Sequence, residues 1–420
     1  MIGAFSNPAN VANSKYKWDV NLFGINTGVG NNNASFKLSN LSESFSDIEN
    51  SLFPSSGNKN LNALANVDIL DPSVMLNIDP KNTFAITTRA RVLSNVKDID
   101  NNLVNSVRDN TDDITFPYTI NSSVNQSIKV NGWSELGVTW GRVVINKENV
   151  FLKAGLSAKY LRGTGDTYVN MNSLKGTLSE TSGGDILLSD ATGRIATSTG
   201  VDFENAEISD ILKQTGSGIG FDIGVVYELR PNKFNNAGEY KVRIAASIMD
   251  IGSIKYKNNP SYYGDYSMNI PSGQYFNVSD LEGKSFNEIK NVLDTSRFFT
   301  KNSTTANLTT SLPTTLQANI DVNLIKRFYL NIGGQFAINA KDQIQNPYYQ
   351  NNITFTPRFE SRSFGVFLPI NYNSLTKLNA GLALRAGPFF IGSGSLLSLA
   401  ISESKQMDFF MGLRFGGLRK

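Results

Sequence analysis

The feature that most constrains this chain is strict two-residue alternation sustained over long stretches. In "TTLQANIDVNL", residues 314–324, the apolar Leu316, Ala318, Ile320, Val322 and Leu324 interleave with Gln317, Asn319, Asp321 and Asn323. Successive side chains of a β-strand point to opposite sides of the pleat, so this is a strand with one apolar and one polar face. The same pattern returns in "SGIGFDIGVVYELR", with Ile219, Phe221, Ile223, Val225, Tyr227 and Leu229 on one side. It returns again in "RFYLNIGGQFAIN" and "FLKAGLSAKYLR". Strands of soluble domains average about 5–6 residues, whereas a strand that crosses a bilayer needs about 9–11. These runs have the longer length.

A two-sheet sandwich would give the same local alternation, so number and connection decide. The pattern predicts fourteen strands, near residues 17–29, 73–79, 82–96, 131–146, 149–163, 217–230, 239–254, 314–325, 327–341, 351–360, 362–372, 376–386, 388–400 and 405–416. An even number is what single-chain outer-membrane barrels use. Links after the even-numbered strands are brief, among them "DPKN", "NKEN", "IKR" and "GP". Those after strands one, three, five and seven are long, covering about 30–72, 97–130, 164–216 and 255–313. Short periplasmic turns alternating with long external loops are the mark of a transmembrane antiparallel β-barrel, and both chain ends then lie in the periplasm. The expected division is a periplasmic or lumenal segment over 1–16 and one barrel over 17–420.

Composition supports this and removes much chemistry. Charged residues make up 18% of the 420-residue chain, below the ~25% of soluble domains, and Asn, Ser, Thr and Gly fill the difference. Net charge is +3, with scattered Lys and Arg, which gives nucleic acid no basic patch. The sequence has no Cys and no His. That removes disulfides, the commonest zinc ligand and every histidine-dependent triad. No catalytic constellation and no cofactor motif is expected. "GSGIG" falls within a strand with no helix after it, and "GTGDT" has no better context, so neither reads as a phosphate loop. No apolar run reaches the length of a transmembrane helix. The start lacks the basic segment and apolar core of a signal peptide, as expected of a mature terminus.

Four stretches in the long links have helical periodicity: "LSNLSESFSDIENSLF", "DIDNNLVNSVRD", "FENAEISDILKQ" and "FNEIKNVLDTSRFF". Together they would cap one mouth. Asp109, Asp112 and Asp113, with Asn110, offer oxygen ligands for calcium on one of these links. Trp18, Trp140, Tyr160, Tyr227 and Phe415 fall at the ends of apolar stripes, where a bilayer-crossing barrel carries its aromatic girdles.

The apolar stripes, including Leu316, Ile320, Val322, Leu324, Ile219, Phe221, Ile223 and Phe415, are expected to face lipid or lipopolysaccharide. The polar stripes place Arg89, Arg91, Lys153, Lys159, Asp222, Glu228, Arg230, Lys241, Arg243, Asp321, Arg358, Arg385 and Arg414 inside. Charges removed from bulk water must pair, so they form a network, line a polar route or hold a plug.

"GAFSNPANVA" contains Asn7, Pro8 and Ala9, which resemble the Asn-Pro-Ala box near the mature terminus of the long-chain fatty-acid transporter family and of barrels associated with type IX secretion. "NPANVANSKYKWDVNLFGINTGVGNN" and "NAGLALRAGPFFIGSGSLLSL" resemble a Bacteroidota family of outer-membrane barrels of unknown function. The closing strand "QMDFFMGLRFGG" resembles the aromatic-ended last strand of such barrels. The resemblance implies an outer-membrane location and a box that lies in the lumen. Two functions follow as expectations: passive transport of a hydrophobic or amphipathic small molecule, or a structural subunit that docks a surface lipoprotein or secretion complex. A soluble two-sheet adhesin is the remaining alternative, and it does not explain the sorting of the loops by length.

Overall fold

The computed structural model describes residues 1–39, 60–107, 114–122, 124–147, 149–199, 215–231, 239–257, 263–303, 309–338 and 346–418. Their strands are labelled here in chain order. Fourteen form the wall: β1 Tyr16–Asn31, β2 Leu61–Leu70 continued by Ser73–Asn77, β3 Asn82–Ile99, β5 Gln126–Asn146, β6 Val150–Glu180, β8 Gly216–Leu229, β9 Val242–Tyr256, β12 Thr309–Ser311 continued by Thr315–Ile325, β13 Phe328–Ala337, β14 Asn352–Glu360, β15 Phe364–Phe367 continued by Ile370–Asn373, β16 Lys377–Ala380 continued by Leu382–Ala386, β17 Phe389–Ser393 and β18 Gln406–Leu418. Each pairs antiparallel with the next, and β18 closes on β1, from Tyr16 opposite Leu418 to Gly30 opposite Gln406. The chain is a closed fourteen-stranded barrel.

Four further strands stand outside the wall: β4 Tyr118–Asn121, β7 Ile186–Thr199, β10 Tyr263–Asn277 and β11 Phe299–Ser303. With the far end of β6 they form an external antiparallel sheet in the order β4, β6, β7, β10, β11. It has its own apolar core, including Ile120, Leu174, Leu178, Ile186, Ile270 and Phe276. Helix α1, Asn101–Val107, adds Leu103 to it, and α2, Phe286–Thr295, packs alongside. A capping box at Ser285 and Glu288 starts α2. Burial pushes the Asp294 carboxyl on α2 up, but hydrogen bonds from Lys290 (2.7 Å), Lys301 (2.8 Å) and Tyr266 (2.7 Å) outweigh it and hold the group at about 2.

Several sequence expectations change in this light. The link 30–72 contains the first half of β2, interrupted at Asp71 and Pro72 because proline cannot donate to the ladder. The described parts of the links 164–216 and 255–313 are largely β-structure, because β6 continues well past residue 163 and pairs with β7, which pairs in turn with β10. The strand expected over 388–400 ends at Ser393, and Leu396–Ile401 is a short helix, α3. Of the four expected loop helices, those near 101–107 and 286–295 are present. The stretch 38–52 lies mostly outside the described residues, as does the one near 202–213 and the acidic group Asp109, Asn110, Asp112 and Asp113.

The outward stripes form an apolar band. Leu316, Ile320, Leu324, Ile219, Phe221, Ile223 and Phe415 are exposed on the outer surface, and Val322 is half-exposed among them. From Ile219 to Tyr227 the stripe runs about 26 Å along the strand, or about 20 Å of height at a tilt of ~40°, close to the ~25 Å band of outer-membrane barrels. Trp18, Trp140, Tyr160 and Phe415 are exposed on this surface, whereas Tyr227 is half-buried.

Candidate lumenal site

The N-terminal segment runs inside the barrel, not beneath it. Asn7 caps the short helix Pro8–Val11, its Oδ1 accepting from the Ala9 amide at 2.9 Å. Its Nδ2 donates to the Val225 and Ala246 carbonyls of β8 and β9 at 3.2 and 3.0 Å. Pro8 and Ala9 lie against glycines. A Cβ on Gly155 would run into their backbone, one on Gly224 into Asn7, and one on Gly141 into Val11. Three wall strands therefore share a slot that only a bare backbone leaves open. Lys153 Nζ donates to the Ala12 carbonyl at 3.0 Å, Ser247 donates to Ser6 at 2.7 Å, and Arg243 to Asn10.

Above this plug, the inward charges of β2, β3, β5, β6, β8 and β9 meet. Arg91 Nη1 lies 3.0 Å from Glu135 and 2.9 Å from Asp250. Its Nη2 donates to the Tyr349 hydroxyl at 2.7 Å, and its guanidinium stacks 4.7 Å from the Trp133 ring centre. Lys159 Nζ reaches Asp250 at 2.6 Å and Asp222 at 2.8 Å. Arg89 and Arg91 both approach Asp68, each at 3.2 Å. The carboxylates of Asp68, Glu135, Asp222 and Asp250 face the cations of Arg89, Arg91 and Lys159, and all seven are buried or nearly so. Burial of this kind is tolerated only when pairing is as complete as it is here.

A second group lies lower. Glu228 accepts from Arg230 Nε at 2.8 Å and sits 3.5 Å from Lys153 and 3.7 Å from Arg243, while Lys241 donates to the Asn323 carbonyl. A third joins Arg358 to Asp321 at 2.8 Å and to Glu360 at 3.1 Å. Arg414 Nε donates to Asp19 at 2.8 Å, and Arg385 Nη2 to the Ser361 carbonyl at 2.8 Å. The thirteen lumenal charges named from sequence thus fall into separate groups, with Arg385 and Arg414 on the far side.

That far side is different in kind. Between β14, β15, β16, β17, β18 and β1 lies a cavity of about 960 Å³. Phe367, Phe390 and Phe410 line its middle, Asn371 and Thr354 its upper part, and Glu360, Arg385 and Arg414 its lower end. The rings leave space because each lies flat against the wall over a glycine. A Cβ on Gly412 would meet Phe390, one on Gly392 would meet Phe410, and one on Gly365 would meet Phe367. Aromatic rings laid over glycines, across the strand pair for Phe390 and Phe410 and along the same strand for Phe367, cover exposed backbone without reaching across the lumen. The result is an apolar-walled chamber with polar ends, suited to an apolar or amphipathic small molecule.

Glu135, Asp250 and Asp68, the carboxylates of the main cluster, were not among the residues that sequence pointed to. Glu135 was legible, since it alternates with Trp133 and Gly137. Asp250 was not, because a register shift between Ile248 and Ile251 turns it inward in a left-handed conformation, φ 60°. Asp68 lies on the part of β2 that read as a loop.

The chain belongs to a family described only as of unknown function, DUF5723, whose model matches residues 8–394, beginning at the proline of the plug. No curated protein matches the sequence. Among solved structures, the Pseudomonas putida toluene transporter TodX is 8% identical with a TM-score of 0.45, covering 100% of this chain and 94% of its own. A Pseudomonas aeruginosa FadL homologue is 8% identical at a TM-score of 0.41, covering 98% and 92%. The translocator domain of the Neisseria meningitidis autotransporter NalP is 8% identical at 0.36, covering 97% and 90%.

Proposed function

We propose that this protein is an outer-membrane barrel that binds an apolar or amphipathic small molecule in its lumen and passes it across the membrane without catalysis. The single observation that carries the reading is the chamber of about 960 Å³ walled by Phe367, Phe390 and Phe410. A barrel built only as a support gains nothing from an unfilled apolar interior, because unfilled interior space forfeits packing energy. The plug and the paired charges close the other half to ions, so the expected route is selective for what fits the chamber. The test is binding of the apolar fluorophore N-phenyl-1-naphthylamine to the purified barrel. Gly412→Leu drives the Phe390 ring into the chamber and should abolish a saturable site, while Val366→Leu on the lipid face should leave it intact. Equal binding by all three proteins would sink the proposal.

A second reading, a docking subunit for a surface lipoprotein or secretion complex, is favoured by the external sheet, which has a core independent of the lumen. Copurification of a protein at fixed ratio after mild extraction would support it, and a clean monomer would oppose it.

A further inference from the structure

The wall lacks half a strand. β17 spans only Phe389–Ser393 and pairs with β18 from Phe389 opposite Leu413 to Gly392 opposite Phe410. Above that point the chain leaves the sheet, forms α3, and returns as β18, whose residues Met407–Phe409 pair only with β1. On the lipid-facing surface this leaves a depression of about 840 Å³. Val29, Val67, Leu384, Ile391, Met407 and Phe409, all from outward stripes, line it. The underside of α3 closes its upper end, where Leu399 is buried against Phe36 and Ala34 with Val29 and Met407 packed on them.

Position decides what fills it. The depression interrupts the band that faces hydrocarbon, so its occupant is an acyl chain and not water. Its upper rim is basic. Lys37 follows Phe36, which bridges to Ser404, and Lys405 follows Ser404 with its Nζ on the Asn32 carbonyl at 2.5 Å. Lys377 opens β16, the strand on which α3 packs, and Lys37 and Lys377 are exposed. Among the described residues Glu403 lies on the same rim as these three lysines, so the balance there is cationic. Apolar groove below and lysines above match one amphiphile.

We propose that this depression is a binding site for an acylated, phosphorylated lipid of the outer leaflet, its acyl chain lying between β1 and β16 and its phosphate held by Lys37 and Lys377. The lysine rim and the outward stripe belong to the outer surface, although the groove meets Asp408 of the chamber at its floor, so the proposal stands whether or not the lumenal chamber carries a ligand. Lysines at an anionic lipid surface contribute about 1 kcal/mol each, so removing two corresponds to roughly a thirty-fold loss of affinity.

The test is native mass spectrometry of the full-length protein in mild detergent, titrated with bisphosphorylated lipid A or with phosphatidylethanolamine. One lipid A should be retained per barrel at concentrations where phosphatidylethanolamine is not. Lys37→Ala with Lys377→Ala should weaken retention roughly thirty-fold, and Val67→Trp, which fills the groove from the lipid side, should abolish it. Heat-modifiable migration on gels confirms that each variant is folded. Equal retention of the two lipids, or unchanged lipid A retention in either variant, would overturn the proposal.

Discussion

The two halves of the lumen are made from the same kind of strand and end in opposite states. On one side β3, β5 and β6 contain 18, 21 and 31 residues, and the interior is filled by the plug and by interlocked charges. On the other side β13, β14 and β17 contain 10, 9 and 5 residues, and the interior is a chamber. At ~3.3 Å per residue, β6 runs about 100 Å and continues into the external sheet, whereas β14 runs about 30 Å, enough for a bilayer and no more. The lesson is that alternation fixes which face a residue takes, while what crosses the lumen is set by partners on distant strands. Arg91 reaches inward because Glu135 and Asp250 meet it. Phe390 does not, because Gly412 lets it lie down.

Breaking the packed half should cost most. Asp250→Ala leaves Arg91 and Lys159 buried with an incomplete set of partners, and is expected to destabilise the barrel by about 3–5 kcal/mol in urea unfolding from vesicles. A cost below about 1 kcal/mol would mean that water reaches this cluster. Next comes the slot for the plug. Gly155→Val places side-chain atoms where the Pro8 and Ala9 backbone sits, with an expected loss of about 1–3 kcal/mol and a rise in single-channel conductance as the plug is expelled. Unchanged conductance would show that the plug does not seal the lumen.

The same class of substitution in the open half should be nearly silent in stability. Arg385→Ala removes hydrogen bonds to the Ser361 and Arg362 carbonyls and should cost under about 1 kcal/mol, with its effect confined to binding in the chamber. The smallest effect belongs outside the wall. The Asp294 carboxyl is held at about 2, below its ordinary 3.8, so its contribution to the external sheet is complete above 3.8 and disappears as pH falls toward 2. Pepsin cleavage within residues 286–303 should therefore rise over that interval, and Asp294→Asn should flatten the dependence. A wild-type profile as flat as that of the variant would remove Asp294 from the account.

The barrel was legible because its signal is local: period two, strand length and alternation of link lengths are all written in neighbouring residues. Opposite outcomes at 61–70 and 394–400 show the limit. The run "LNALANVDIL" became wall although its stripe is weak, because β1 and β3 both pair with it. "GSLLSLA", residues 394–400, left the wall despite its apolar character. There Asp408 accepts from the Gly394 amide at 2.5 Å and the Ser395 hydroxyl at 2.6 Å, holding the chain in a turn before α3. The Asn-Pro-Ala box was recognisable, but the three glycines that receive it, Gly141, Gly155 and Gly224, are spread over more than 80 positions and reveal their common purpose only in the closed wall. The chamber was the least legible feature. It lies among the short strands, where Gly365, Gly392 and Gly412 sit beneath the rings of Phe367, Phe410 and Phe390, pairings that for Phe390 and Phe410 cross between strands.

The central claim is that one half of the lumen is open to an apolar guest and the other is not. Anomalous diffraction from crystals soaked in a bromoalkane tests it most directly. The account predicts a bromine peak inside the barrel beside Phe367, Phe390 and Phe410, separate from any peak in the outer groove. A lumen without such a peak, or one with bromine among Arg91, Lys159 and Asp250, would contradict it.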